Sequence, residues 1–138
     1  MTDAPTDALL SRLTVLVIED EPFTRTVVAR VAASLGCAAV IEAGDAVTGL
    51  ATLRGQPVDV VLCDVDMKPV NGLELLRHLR TSESAAERRL PLIFLTGRAA
   101  PEDVAAANTL GNTTFLVKPA QPDLLRRALL RHAAPIAS

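Results

Sequence analysis

The chain has 138 residues, 49% of them hydrophobic and 22% charged, which bounds it to one domain around a single core. Its net charge of −2 and pI of about 5.6 argue against a nucleic-acid or anionic-membrane surface, which needs a basic excess. Aromatic residues are 2% of the chain, so base stacking has few platforms and the core rests on Val, Leu, Ile and Ala.

Residues 1–12 read as a flexible polar leader with a short helical turn at Leu9-Leu10; Met1-Thr2-Asp3-Ala4-Pro5 lacks the basic flank and apolar stretch of a signal peptide. A strand is predicted over 13–18, ending at Glu19 and Asp20. Pro22 then opens a helix in which Val27, Val28, Val31 and Leu35 recur at helical spacing before Gly36 stops it. A second strand, 38–42, precedes a helix capped by Asp45 and running through Leu50 and Leu53 to Gly55. The third strand, 58–63, ends at Asp64, and Asn71 caps a third helix carrying Leu73, Leu75, Leu76 and Leu79.

Thr81 to Arg89 is polar and charged, and reads as a surface loop. A fourth strand, 91–95, ends at Thr96, and a fourth helix follows Pro101 with Val104 and Leu110. The fifth strand, 113–117, ends at Lys118, and a fifth helix follows Pro122 with Leu124, Leu125, Ala128 and Leu129. The domain is thus 13–133, with 134–138 as a tail. Cys37 and Cys63 fall in separate predicted strands; two cysteines make no disulfide scaffold, and a reducing cytoplasm is the simplest location. No apolar run approaches membrane-spanning length.

Five short aliphatic strands alternating with helices imply a parallel sheet covered on both faces, because parallel strands need crossover connections. Ligands of such sheets bind at the carboxyl ends of the strands. Glu19, Asp20, Asp64, Thr96 and Lys118 all stand there. Carboxylates converging on one point repel each other unless a cation sits among them, and hard oxygen ligands suit Mg²⁺. Asp20 and Asp64 would be direct ligands and Glu19 would act through water. A carboxylate beside Mg²⁺ is also a nucleophile able to form an aspartyl phosphate, and in-line transfer then needs a hydroxyl and an ammonium for the remaining phosphoryl oxygens. Thr96 and Lys118 fit those roles. Taken singly, Thr96 reads as a strand-end residue bonding local backbone, and Lys118 as a solvated loop lysine. Neither reading explains why both face the carboxylates.

Ile18-Glu19-Asp20-Glu21-Pro22, Leu62-Cys63-Asp64 with Met67 and Gly72, Phe94-Leu95-Thr96-Gly97 and Phe115-Leu116-Val117-Lys118-Pro119 together resemble the receiver domain of two-component response regulators, over residues 12 to 133. The resemblance implies an α/β, doubly wound, flavodoxin-like domain: a five-stranded parallel sheet of order 2-1-3-4-5 flanked by five helices. It further implies that Asp64 accepts a phosphoryl group from a histidine kinase or histidine phosphotransfer protein. Mg²⁺ would be held by Glu19, Asp20, Asp64 and the backbone carbonyl of Asp66. Thr96 and Phe115 would form the switch, and a downstream protein target would read the face built from the fourth helix, fifth strand and fifth helix. Direct nucleic-acid binding and membrane insertion are not expected.

Lys68 and Phe115 depart from the family pattern, whereas Gly97 stands where a small residue is typical. Lys68 stands where proline is common, with Pro69 one place later. Phe115 matches the switch aromatic but lacks a hydroxyl, and equally reads as a core phenylalanine. Gly97 keeps the approach to Asp64 open. Cys63 reads as inert packing, and His78 and His132 as helix-surface residues far from the site.

Two alternatives stand beside this reading. Asp64-Val65-Asp66, Leu95-Thr96-Gly97-Arg98 and Lys118 also resemble a haloacid-dehalogenase phosphatase, with Asp66 as general acid and base; against it, the acidic pair precedes the nucleophile strand and none follows Lys118. The other is an unphosphorylated, receiver-like docking module. Finally, Asp66 and Arg98 overhang the mouth of the site from neighbouring strand ends. A bridge between them would shield the phosphoryl group and lengthen its lifetime; otherwise they are solvated charges. No output domain follows the fifth predicted helix in this sequence, and a stand-alone switch and a piece of a longer regulator would look alike.

Overall fold

A computed structural model describes residues 4–133; the expected tail, 134–138, lies outside them. Five strands, β1 (Thr14–Ile18), β2 (Ala39–Ala43), β3 (Val60–Cys63), β4 (Leu92–Thr96) and β5 (Thr113–Val117), form one sheet of order β2-β1-β3-β4-β5. Every pairing is parallel. The helices among the described residues are α1 (Ala4–Leu10), α2 (Pro22–Ser34), α3 (Ala46–Gly55), α4 (Gly72–Arg80), α5 (Ala85–Arg89), α6 (Pro101–Leu110) and α7 (Pro122–Ala133).

The inner strands β1, β3 and β4 are almost wholly buried because both of their faces are covered, whereas the edge strands β2 and β5 carry Glu42 and Thr113-Thr114; the twofold alternation deals the apolar side chains into two layers. Leu16, Ile18, Val61, Cys63, Leu92 and Phe94 face α3, α4 and α6, packing with Ala46, Leu73, Leu76, Leu79 and Ala107. Val15, Val17, Val60, Leu62, Ile93 and Leu95 face the other way, onto Val28, Ala32, Leu125 and Leu129 of α2 and α7.

Helix starts are chemically marked. Glu21 caps α2, accepting from the N–H groups of Phe23 at 3.2 Å and Thr24 at 2.6 Å, with Pro22 at the first position. Asp45 caps α3 through Thr48 N–H at 2.7 Å. Asn71 and Glu74 form a reciprocal capping box on α4, 2.9 and 3.1 Å.

Four expectations need correction. The leader is not detached: α1 packs on α7, Leu10 is wholly buried, and Arg126 donates to Thr6 at 2.8 Å and pairs with Asp7 at 3.3 Å. Its apolar residues were too few to show periodicity. The 81–89 loop contains α5, capped by Ser84, so among the described residues two short helices, α1 and α5, join the five expected ones. Cys37 lies ahead of β2 rather than in it.

His132, expected on the surface, is half-buried. Its Nδ1 is 3.2 Å from Asn112 Oδ1 and its Nε2 2.9 Å from Thr114 Oγ1, a pattern that suits the neutral ring with the proton on Nδ1. Burial, with the charges of Arg131 and Arg80, lowers its pKa from the usual 6.5. The unfolded chain therefore binds this proton first, so the stability is present above 6.5 and is lost as pH falls towards the depressed folded value. Thermal unfolding between about pH 7.5 and about pH 5.5 should show a smaller acid loss in His132→Asn than in the wild type.

Candidate functional site

The chain winds one way from β1 to β2 and the other way through β3, β4 and β5, so a crevice opens beyond the carboxyl ends of β1 and β3. Ile18 pairs with Cys63 in register, and Asp64 N–H donates to Ile18 O at 3.2 Å. The residues that follow each, Glu19-Asp20 and Asp64, are thereby brought side by side. Carboxylate oxygens of Glu19, Asp20 and Asp64 all lie within 4.8 Å of one another.

Glu19 is 3% exposed and Asp64 8%, whereas Asp20 is exposed. Lys118, one residue beyond β5, reaches across β4 to both buried acids: Nζ is 2.5 Å from Glu19 Oε1 and 3.1 Å from Asp64 Oδ2. Only a long side chain can span strands spaced about 4.8 Å apart. Lys118 N–H donates to Thr96 O at 2.7 Å, continuing the β4–β5 ladder to the site.

The titration pattern follows from this crowding. Burial raises the Glu19 pKa, and Asp64 adds to it, against the lowering bonds from Lys118 and Glu21 N–H. Burial depresses Lys118, but its bonds to Glu19 and Asp64 outweigh that and hold its ammonium charged. Three carboxylates against one ammonium leave two negative charges in excess, all on hard oxygen donors and open to solvent at Asp20. That charge and donor set fits a divalent cation of the Mg²⁺ kind.

The loop after Asp64 folds back on it. Asp66 N–H donates to Asp64 Oδ1 at 3.2 Å, and Val65 O accepts from Met67 and Gly72 N–H at 3.2 and 2.8 Å. Gly72 starts α4 so close to this loop that a Cβ would stand 2.4 Å from Asp64 O and 2.8 Å from Phe94 Cε1. A Cβ at Gly97 would meet nothing within 4 Å, so the space beside its backbone is open. Cys63 donates its thiol to Asp64 O at 3.1 Å, and full burial pushes its pKa far up, which fits inert packing.

Thr96, Phe115, Asp66 and Arg98 arrive nearby but in particular states. The Thr96 hydroxyl is fully buried, donates to Arg98 O at 3.0 Å and accepts from Arg98 N–H at 3.3 Å, so it serves its own loop here. Phe115 is half-buried against Phe94, ring centroids 5.0 Å apart. Asp66 and Arg98 are both exposed and form no ion pair with each other, so the expected bridge is not closed in this structure. His78 is exposed on α4 and meets Arg54 Nη2 at 3.2 Å, away from the strand ends.

The sequence reading missed Arg25. Its Nη1 donates to Glu19 O at 2.9 Å, and its Nε is 3.6 Å from Glu42 Oε1. Five residues beyond Asp20 on the exposed side of an amphipathic pattern, it carries no signal of its own.

A parallel sheet of this order with acids, threonine and lysine on its strand ends defines a class, the receiver fold. The chain belongs to the response regulator receiver domain family, whose model matches residues 15–130. Residues 15–130 are thus a receiver domain, a signalling module, and not a haloacid-dehalogenase phosphatase domain. The chain is 28% identical over 124 residues to the chemotaxis protein CheY-3 of Vibrio cholerae, covering 89% of this chain and 94% of that protein. It is 35% identical over 122 residues to the probable transcriptional regulatory protein TcrX of Mycobacterium tuberculosis, covering 86% of this chain and 50% of that protein. The chain spans half or less of the length of the first curated relatives it matches, 50% of TcrX and 16% of the Vibrio cholerae sensor kinase/phosphatase CqsS.

Among solved structures, CheY4 of Vibrio cholerae superposes with a TM-score of 0.78 at 28% identity, covering 87% of this chain and 98% of that one. The receiver domain of the sensor histidine kinase PA1611 from Pseudomonas aeruginosa PAO1 has a TM-score of 0.76 at 29% identity, covering 88% of this chain and 98% of that one. That structure holds a magnesium ion coordinated in its active site cleft. No helix among the described residues is long and apolar enough to cross a membrane.

Proposed function

We propose that this chain is a phosphorylation-activated switch that takes a phosphoryl group from a phosphohistidine of a histidine kinase or phosphotransfer protein onto Asp64. The observation that carries this reading is the convergence of Asp64, Glu19 and Asp20 with the Lys118 ammonium at one crevice. Asp20 and Asp64 would hold Mg²⁺ through their side chains, with the Asp66 carbonyl as a third protein ligand and Glu19 acting through water. When bound, Mg²⁺ neutralises the excess charge and one oxygen of the transferring group.

The remaining roles belong to the chain. An Asp64 oxygen attacks phosphorus in line as the bond to the donor nitrogen breaks, while Lys118 Nζ, already beside Asp64, covers a second phosphoryl oxygen. The phosphoryl group adds roughly two negative charges at neutral pH. Thr96 leaves Arg98 O for the third oxygen, the 97–98 loop loses its tie, and Phe115 moves into the space that Thr96 vacates. The face of α6, β5 and α7 then presents a different surface to a downstream protein.

A docking surface for the phosphodonor protein borders the site. Phe23 is 76% exposed and Val27 38%, and with Pro119 and Ala120 they line a groove that reaches Lys118. A large apolar side chain held in water beside a reacting centre suits a protein partner that must approach within bonding distance of Asp64. A cytoplasmic location agrees with two free cysteines and with this donor.

Asp20→Asn should weaken Mg²⁺ binding by at least about tenfold, since it removes an anionic ligand outright. Isothermal titration checks this, and unchanged affinity would take Asp20 out of the coordination sphere.

Asp66 and Arg98 set the signal's lifetime in this reading, by closing over the phosphorylated site, although they form no ion pair with each other in this structure. Each single alanine variant should shorten the phosphoaspartate lifetime by about two- to fivefold, with little further change in the double variant. Independent effects, or none, would leave them as surface charges.

A further inference from the structure

We infer that Arg25 is a positioning residue for the divalent-cation site, clamping the main chain between Glu19 and Asp20 so that the Asp20 carboxylate points into the crevice. The inference rests on the metal site proposed above and adds a residue from α2 to it.

Glu19 is held at every polar group. Its N–H donates to Ala43 O at 3.1 Å, its Oε2 accepts from Glu21 N–H at 3.3 Å, its Oε1 binds Lys118, and its carbonyl accepts from Arg25 Nη1 at 2.9 Å. Asp20 is different. It is exposed, and its carboxylate takes part in no hydrogen bond or ion pair within the protein, so the direction of its side chain is inherited from the backbone that precedes it. That backbone is the Glu19–Asp20 peptide, whose carbonyl end Arg25 holds.

The guanidinium is itself fixed. Its Nε side pairs with Glu42 of β2 at 3.6 Å, and the arginine is about three-quarters buried, with 24% of its side chain exposed. Gly44 leaves it room: a Cβ there would stand 3.2 Å from Arg25 Nη1. A planar fork can hold a carbonyl and a carboxylate at once from adjacent nitrogens, which an ammonium on a flexible stem cannot do in one geometry.

Arg25 could instead act by charge alone, and the two roles predict opposite signs. A cation near an acidic site repels Mg²⁺, so removing it would tighten binding. Removing a clamp would loosen it. Arg25 meets the site through the Glu19 carbonyl, at 2.9 Å, and pairs with none of the three clustered carboxylates, leaving geometry as the larger effect.

The test is Mg²⁺ titration of the wild type, Arg25→Ala, Arg25→Lys, Glu42→Gln and Asp20→Asn, with amide hydrogen exchange on the metal-free proteins. Arg25→Ala should weaken Mg²⁺ about tenfold and Arg25→Lys nearly as much, whereas Glu42→Gln should stay within about twofold. Without metal, exchange should quicken in Arg25→Ala at the Glu19 and Glu21 amides while the β1 amides from Val15 to Ile18 keep their protection. Unchanged or tighter Mg²⁺ binding in Arg25→Ala, or exchange quickened uniformly along β1, would overturn the clamp. Those results with normal wild-type binding and a weakened Asp20→Asn would leave the metal site standing. A wild type indifferent to Mg²⁺ would overturn both.

Discussion

Asp64→Asn should incorporate no phosphoryl group under conditions that label the wild type fully, because the amide keeps the shape of the side chain but is no nucleophile. The fold should survive. Asparagine still accepts from Asp66 N–H as Asp64 Oδ1 does at 3.2 Å, and it removes one of three carboxylates packed within 4.8 Å of each other. Loss of the 3.1 Å contact with Lys118 opposes that relief. The net stability change in metal-free protein should stay within about 1 kcal/mol, readable by urea unfolding. Residual label on the variant would move the acceptor elsewhere, and a collapse in stability would make Asp64 a structural residue.

Gly72→Ala should be strongly destabilising for a change of a single methyl group. The added carbon would stand 2.4 Å from the backbone oxygen of Asp64 and 2.8 Å from the Phe94 ring, and neither can retreat cheaply: one is main chain, and the other is a wholly buried ring. Overpacking of this kind costs about 1–3 kcal/mol, and here the strain falls on the loop that follows Asp64, the proposed acceptor. Phosphorylation should slow along with the loss of stability. Gly97→Ala is the natural control, since its Cβ would meet nothing within 4 Å, and it should stay within about 0.5 kcal/mol of the wild type. Equal, small effects at both positions would mean that α4 does not sit against the Asp64 loop as described.

What could be read from the sequence follows from what local pattern encodes. Four of the five strands are short runs ended by a polar residue, so Glu19, Asp64, Thr96 and Lys118 announce those strand ends and, through parallel topology, a common crevice. Asp45 and Asn71 announce helix starts because a cap is a contact over three residues. The missed features are those whose partners lie far away along the chain. Arg25 binds a carbonyl six residues back and a carboxylate on β2. Arg80 inserts its guanidinium among the backbone oxygens of Glu87, Leu90 and Gly111, a knot joining α4, α5 and the turn before β5. Neither has any periodicity to betray it.

Side-chain direction was equally illegible. Position placed Thr96 at the site, but its hydroxyl turns to Arg98 O, satisfying a local bond that a buried hydroxyl cannot forgo. Asp66 and Arg98 were placed at the mouth by spacing, yet as exposed charges they gain little from pairing, and they stand unpaired with each other. The helix α1 was hidden for a different reason. Its docking rests on one buried leucine and on Arg126 of α7, more than a hundred residues away in sequence.

The central claim is that Asp64 is a phosphoryl acceptor assembled with Lys118 and an Mg²⁺ site. The direct test is intact mass spectrometry after incubation with Mg²⁺ and a small acyl phosphate or phosphoramidate. The account predicts a mass gain of one phosphoryl group that requires Mg²⁺, disappears on chelation and is absent from Asp64→Asn. Folded wild-type protein that gains no mass with Mg²⁺ present, or gains it equally in Asp64→Asn, would contradict it.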